Sequence, residues 1–309
     1  MSEPAQAVRV FAPAKINLTL HVTGQRSDGY HFLDSLVAFA DVGDTLIAVR
    51  HKDLSLRVHG PESSTLPESD ENLVLRVARL FGRIQGCSFQ LTKELPVASG
   101  IGGGSADAAA SFRALSALFD TIEPSSRRRD MQNMPQVGEL VSFGADIPMC
   151  VGARTARVTG IGEHIKPVAG FPPLYAVLVN PRRSVSTPTV FKALQQRDHP
   201  PMSEELPEFA HVHQVAAWLG EQRNDLEAAA ISVEPAISQT KTALSQSEDC
   251  LLARMSGSGA TCFGLFPDMR RAEAAAASIS RAHTDWWVRA TQLGDQHQRA
   301  QAQLMRSTT

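Results

Sequence analysis

The segment Pro96-Val97-Ala98-Ser99-Gly100-Ile101-Gly102-Gly103-Gly104-Ser105-Ala106-Asp107-Ala108-Ala109 is the most informative stretch of the chain. Glycines adopt backbone angles closed to other residues and let a ligand approach the main chain. The alanines that follow favour a helix. A helix start offers unpaired N–H groups and the positive end of a dipole. Together these features make an anion site suited to nucleotide phosphates. Pro96 to Ala106 are therefore the phosphate-loop candidates. Ser105, placed at the helix N-cap, can cap the helix or donate to a phosphate. The bland reading is a flexible turn capped by Ser105. No Lys-Ser or Lys-Thr follows the glycines, which excludes a P-loop. The spacing also argues against a Rossmann dinucleotide site.

Around this loop the apolar pattern switches between two periods. Val8, Val10, Ile16, Leu18, Leu20 and Val22 lie two apart, the strand period. Gly24 to Gly29 reads as a turn, and Thr45 to Val49 as a strand. Leu73, Val74, Val77, Leu80, Phe81 and Ile84 fall at helical spacing behind Asp70-Glu71-Asn72. Phe89, Leu91 and Leu95 alternate again, and Pro96 ends that strand. After the glycine loop, Phe112, Leu115, Leu118 and Phe119 continue a helical stripe. Glu123 to Gln136, with Arg127-Arg128-Arg129, reads as a solvated connection, phosphate binding being the minority reading. A glycine-punctuated stretch follows from Gly138 to Gly162. Leu174 to Val179 is a buried strand, and Gln195 to Glu208 a surface loop. Helices are expected at His213–Gln222, Asp225–Thr240 and Arg271–Ser280, with a strand at Thr261–Phe266. The polar tail from Asp295 is expected to fray. Strands and helices mix without strict alternation, which predicts a two-domain α+β protein. The boundary is placed near residue 170, giving domains 1–170 and 171–309.

Composition limits the function classes. The chain has 309 residues, with 30 Lys plus Arg against 32 Asp plus Glu, a net charge of −2. That balance gives no footprint for nucleic acid or an anionic membrane. Hydrophobic residues are 43% and charged residues 20%, which fits a globular chain with its own core. Cys87, Cys150, Cys250 and Cys262 form no C-x-x-C pair, so neither a zinc ribbon nor a thioredoxin-type site is encoded. Reduced thiols and a cytoplasmic location are the simpler expectation. No apolar signal core or membrane-length apolar run is present in the sequence.

Three segments occur in an order that carries a resemblance: Ala12-Pro13-Ala14-Lys15-Ile16-Asn17-Leu18, the glycine segment, and Met255-Ser256-Gly257-Ser258-Gly259-Ala260-Thr261-Cys262-Phe263. The second resembles the P-x-x-x-G-L-G-G-G-S-S/A-D/N-A-A signature of the GHMP kinase superfamily, with Ile101 for the commoner Leu and Ser99 where Gly or Ala is common. Arg26-Ser27-Asp28-Gly29-Tyr30-His31 and Ser142-Phe143-Gly144-Ala145-Asp146-Ile147-Pro148 are similar to one branch of it. That branch moves the γ-phosphate of ATP to the 2-hydroxyl of a cytidine diphosphate ester of methylerythritol, in non-mevalonate isoprenoid synthesis. The resemblance implies a nucleotide-binding N-terminal domain and a ferredoxin-like C-terminal domain.

It also implies roles for particular residues. Phosphoryl transfer needs an acceptor oxygen, positioned phosphates and neutralised charge. Asp146 would take the hydroxyl proton and Lys15 would stabilise the developing charge. Taken alone, Asp146 is as good a helix N-cap, and Lys15 in its apolar run a solvent-facing charge. Tyr30 would stack on the cytosine and His31 would meet its edge. Phe191 would supply a second face, with Thr187 and Asn17 near the sugar alcohol. For Phe191 a core position at a strand-to-helix turn is equally open. Asn72 and Leu73 would contact adenine, although core packing alone accounts for Leu73. Ser256, Gly257, Ser258 and Gly259 would close the site, or form a plain tight turn. Mg²⁺ is expected with ATP, its protein ligand unassigned. The partners expected are small molecules, with no nucleic acid and no membrane. The alternatives are a homoserine- or mevalonate-type kinase and an inactive ligand-binding regulator. Tyr30, His31 and Phe191 argue against the first, and retention of Lys15 with Asp146 against the second.

Overall fold

A computed structural model describes residues 7–64, 66, 68–82, 86–120 and 135–305. Ile84 and Arg127 to Arg129 lie outside the described residues. The first half of the chain runs β1 (Ala7–Asn17), β2 (His21–Gln25), β3 (His31–Arg50), β4 (Ser55–His59), α1 (Leu73–Leu80), β5 (Cys87–Thr92) and α2 (Gly103–Asp120). A 3-10 turn at Val137–Ser142 precedes α3 (Ile147–Gly152), β6 (Ala156–Gly160) and β7 (His164–Pro167). The second half contributes β8 (Leu174–Asn180), α4 (Thr187–Ala193), α5 (Val212–Gly220), α6 (Glu227–Val233) and α7 (Ala236–Ser245). It ends with β9 (Leu252–Met255), β10 (Cys262–Phe266), α8 (Met269–Ala282), β11 (Trp287–Gly294), α9 (His297–Ala300) and β12 (Gln303–Met305).

The strands join one sheet, with a main path β12-β1-β3-β11-β8-β10-β9. Their pairings are antiparallel except β4 with β5. Three apolar cores sit on this sheet. One lies under α1, α2 and α3, one under α4, α6, α7 and α8, and one between the halves around Ile16, Leu178 and Trp287.

Several sequence expectations change for physical reasons. The strand expected at Thr45–Val49 is the end of β3, which begins at His31. Leu36 to Ala40 are buried on both faces, so that stretch shows no alternation. The helix expected over Asp225–Thr240 is two helices, α6 and α7. Pro235 cannot donate an N–H, and Glu234 before it is extended. The tail from Asp295 is held as far as Met305, where α9 buries Ala300 and β12 pairs with Ala7 to Arg9 of β1. Ser105 is not the cap of α2. Gly102, with φ of +68°, turns the chain, and its carbonyl already receives the Ala106 N–H at 2.8 Å. Ser105 therefore lies inside the first turn, and the N–H groups of Gly103, Gly104 and Ser105 precede that bond.

Candidate active site

Lys15 sits where the pairing of β1 with β3 shifts register, between Pro13 and Lys15. Its side chain is turned inward and is almost fully covered. Its ammonium meets two partners, the Asp146 carboxylate at 2.9 Å and Asn17 Oδ1 at 2.8 Å. Asp146 occupies the N-cap position of α3 but makes no side-chain cap bond. Its carboxylate is spent on Lys15 and stays partly open to solvent. The helix-cap account of Asp146 therefore does not describe its side chain, and the solvent-facing account does not describe Lys15. Asn17 is likewise buried, and its amide donates to Ser35 Oγ at 2.8 Å.

The two glycine segments pack back to back behind this pair. Lys15 N–H donates to the Ile101 carbonyl at 2.9 Å. Asn17 N–H donates to Ser256 Oγ at 3.1 Å, and that hydroxyl donates to the Gly100 carbonyl at 3.1 Å. A Cβ at Gly102 would approach Lys15 Cε to 3.2 Å, and one at Gly257 would reach the Gly100 carbonyl at 2.7 Å. Ser256 to Gly259 is a tight turn, closed by Gly259 N–H on the Ser256 carbonyl at 3.0 Å. The four residues thus form the tight turn, and its glycines let the two segments pack closely. Asn224 steadies the turn by donating to the Met255 and Gly257 carbonyls, both at 2.9 Å. The loop before α2 is anchored too. Ser99 Oγ donates to the Pro96 carbonyl at 2.6 Å, and the Ser99 and Ala98 carbonyls receive Thr261 N–H and Val185 N–H.

On the other side, α4 carries Thr187 and Phe191 four residues apart, hence on one helix face. Thr187 bonds Ser258 Oγ at 2.7 Å. Phe191 stacks on the His31 ring with centroids 4.6 Å apart and planes at 21°. Among the described residues His31 Nε2 is buried and finds no hydrogen-bond partner. Burial lowers the His31 pKa, and the nearby Arg197 charge adds to this. Tyr30 is 60% exposed and makes no ring contact among the described residues. Asn72 caps α1 by accepting Val74 N–H at 3.0 Å. Leu73 packs on the first core while its Cδ1 lies 3.8 Å from where a Cβ at Gly104 would stand. It therefore both packs and borders the glycine turn.

Sequence reasoning passed over a buried cluster directly beneath that turn. Lys93 Nζ binds Asp44 Oδ2 at 2.5 Å and Asp107 Oδ2 at 2.8 Å. Asp44 Oδ1 also accepts the N–H groups of Glu94 and Leu95. A Cβ at Gly103 would stand 3.3 Å from Lys93 Nζ. Burial disfavours the Lys93 charge, but Asp107 and Asp44 outweigh it and hold its pKa above the ordinary value. Burial pushes Asp107 up to about 8, the Lys93 charge opposing and the Asp44 charge reinforcing. The only sequence signal was Asp107 inside the glycine segment, three charged groups being scattered over β3, the end of β5 and α2. Ser35 and Asn224 gave no signal.

The chain matches the family models for the GHMP kinases N terminal domain over residues 72–153 and for the GHMP kinases C terminal over residues 190–285. A 4-diphosphocytidyl-2-C-methyl-D-erythritol kinase of Roseobacter denitrificans is 55% identical over 305 residues, covering 98% of this chain and 100% of the relative. The chain belongs to the 4-diphosphocytidyl-2-C-methyl-D-erythritol kinase family. A solved kinase of that description is 32% identical, with a TM-score of 0.70 over 93% of this chain and 99% of the other. Homoserine kinase from Cytophaga hutchinsonii shares the fold at 19% identity and a TM-score of 0.65, with 99% of each chain covered. The fold thus serves several substrates, and membership in the narrower family separates this chain from them. The expected two-domain GHMP-type α+β architecture is borne out. As in the superfamily, ATP is the phosphoryl donor. No helix among the described residues is long and apolar enough to cross a membrane.

Proposed function

We propose that Lys15 and Asp146 carry out ATP-dependent phosphorylation of the 2-hydroxyl of 4-diphosphocytidyl-2-C-methyl-D-erythritol, giving the 2-phosphate and ADP. The observation that carries this is the 2.9 Å pair of Lys15 with an Asp146 carboxylate freed from its cap, beside the glycine loop. Asp146 accepts the proton of the attacking hydroxyl, and Lys15 holds the charge that develops on oxygen and phosphate. The triphosphate takes the first-turn N–H groups of α2, with Asn72 and Leu73 at the adenine. The cytosine is read by His31, Phe191 and Tyr30. Binding the base separates the His31–Phe191 stack or caps it, and exposed Tyr30 closes over it. Asn17 and Thr187 face the sugar alcohol, and Ser256 to Gly259 close the site. The homoserine- and mevalonate-type readings leave the partnerless Nε2 of His31 without a use.

Mg²⁺ is the usual companion of nucleotide phosphates and takes few protein oxygens. Among the described residues no group of three or more His, Cys, Asp or Glu forms a cage, which suits an ion held by phosphate and water. Ser105 Oγ, 4.0 Å from where a Cβ at Gly144 would stand, is the protein oxygen we assign to it. Bound there, the ion would neutralise phosphate charge. We read residues 1–170 as the nucleotide unit and 171–309 as the substrate unit; the first core draws mostly on the former, with Ala300 added, and the second mostly on the latter, with Leu20 and Val22 added. The four cysteines are free thiols, in keeping with a cytoplasmic enzyme. Incubation with labelled ATP and a panel of small alcohols tests the reading. Label should pass to the cytidine diphosphate ester and not to homoserine or mevalonate; the reverse would overturn it.

A further inference from the structure

The short helix α3 carries Asp146 at its start, and its other end is held by the C-terminal segment. A helix leaves its last carbonyls without intrahelical partners. Here all of them are met. Arg113 of α2 donates to the Cys150 carbonyl at 2.6 Å and the Val151 carbonyl at 3.2 Å. The next two are met by the tail. His297 Nδ1 donates to the Gly152 carbonyl at 2.9 Å, and Gln296 N–H donates to the Ala153 carbonyl at 2.9 Å. A carbonyl can only accept, so the bond to Gly152 places the proton of His297 on Nδ1, and the Gln301 amide lies against the same ring.

The same segment also grips the strand that carries Lys15. Arg299 lies over the Phe11 ring of β1, with its guanidinium carbon 4.9 Å from the centroid. Its guanidinium also donates to the Asp41 carbonyl, in the stretch of β3 opposite the shift in β1. Ala300 is buried in the first core, and β12 pairs with β1. One segment therefore joins the element bearing Asp146 to the element bearing Lys15. A helix of six residues is a rod of about 9 Å, so a shift at its C-terminus moves its N-terminus.

We propose that residues 295–305 form a strap that sets Asp146 against Lys15, with His297 as its positioning residue. The proposal rests on the reading of Asp146 as the base. A misplacement of about 1 Å at a reacting group can cost about 10² in rate. Loss of the His297 bond alone should lower kcat by about tenfold, and loss of both tail bonds by more.

The test uses the full chain. His297→Ala removes the donor, His297→Asn keeps an N–H of shorter reach, and Gln296→Pro with His297→Ala removes both bonds. Asp146→Asn is measured alongside. The expected result is a fall in kcat for His297→Ala, partial rescue in His297→Asn, and KM for both substrates within about twofold. A role in stability alone would lower the melting temperature and leave kcat per folded molecule unchanged. If the double variant does not fold, the single His297 variants decide. Normal kcat in His297→Ala with Asp146→Asn inactive overturns the strap and spares the base. Normal kcat in Asp146→Asn overturns the base and the strap with it.

Discussion

Gly100→Ala is a severe test of the packed glycine loops. Gly100 has a φ of +75°, which costs a residue with a side chain about 1–2 kcal/mol. Space is the larger problem. The new Cβ would lie 2.6 Å from the Ser256 carbonyl oxygen and 2.7 Å from that of Gly259. Both are backbone atoms of one hydrogen-bonded turn, so neither can rotate away. Ordinary contact begins at 3.4 Å, and the two loops must therefore part by roughly 0.8 Å. That movement pulls Ser256 from Asn17 N–H, and Asn17 is the second partner of the Lys15 ammonium beside Asp146. A displacement of that size at a reacting group is worth about 10² in rate, or about 2.7 kcal/mol of barrier. Steady-state kinetics with both substrates should show kcat/KM reduced about 100-fold in a chain that still melts cooperatively, a few degrees lower. Gly220→Ala, where a Cβ meets nothing within 4 Å, should behave like the unaltered chain. Turnover of Gly100→Ala within threefold of normal would refute the coupling of the two loops to Lys15.

Asp146→Asn keeps the side-chain size and removes the basic carboxylate. Its kcat should fall by about 10²–10⁴ with ATP affinity kept in calorimetric titration, and near-normal turnover would remove Asp146 from the mechanism. Tyr30→Ala should weaken the cytidine substrate by roughly 5- to 150-fold and spare ATP, the value of one base–aromatic stack. Tyr30→Phe should be much milder, and equal loss for both ligands would reject the assignment. Asp107 supplies a pH prediction. Its pKa is about 8 in the folded chain against 3.8 for the free group, so between those values the folded state holds a proton that the unfolded state lacks. The contribution is complete below 3.8, declines as pH rises, and is gone above about 8. From pH 6 to 8 the unaltered chain should therefore lose stability relative to Asp107→Asn by up to about 1.4 kcal/mol per pH unit, then run parallel to it. Parallel urea melts over the whole range would show that Asp107 is ionised in the folded chain.

The parts that could be read from the sequence share a property: their signals are local. Alternation in β1, the helical stripe of α1 and the glycines before α2 each lie within one short window. Beyond that the windows fail. Leu36 to Ala40 look alike because both faces are covered, so the first half of β3 hides. Pro235 sits inside a run of good helix formers, and only its missing N–H divides α6 from α7. At the site, Lys15 and Asp146 each supported an ordinary explanation. Only the folded chain brings them within 2.9 Å of each other, through a register shift in β1 and the start of α3. Lys93, Asp44 and Asp107 come from three elements, so no spacing announces them. His297 lies in a tail whose composition reads as solvated, because its contacts are made mostly by polar side chains and backbone groups, with Ala300 the buried apolar residue.

The pairing of β12 with β1 has a consequence for the order in which the molecule is made. Synthesis makes the strand that carries Lys15 nearly 290 residues before Gln303 to Met305, its partner in β12. Until then Ala7 to Arg9 present an unsatisfied backbone edge, the kind that recruits a strand from another nascent chain. Contacts so distant in sequence also close slowly. Val8, whose side chain helps fill the first core, lies on this edge. The growing chain is thus open to a foreign strand at the edge of the strand that carries Lys15, until β12 closes that edge.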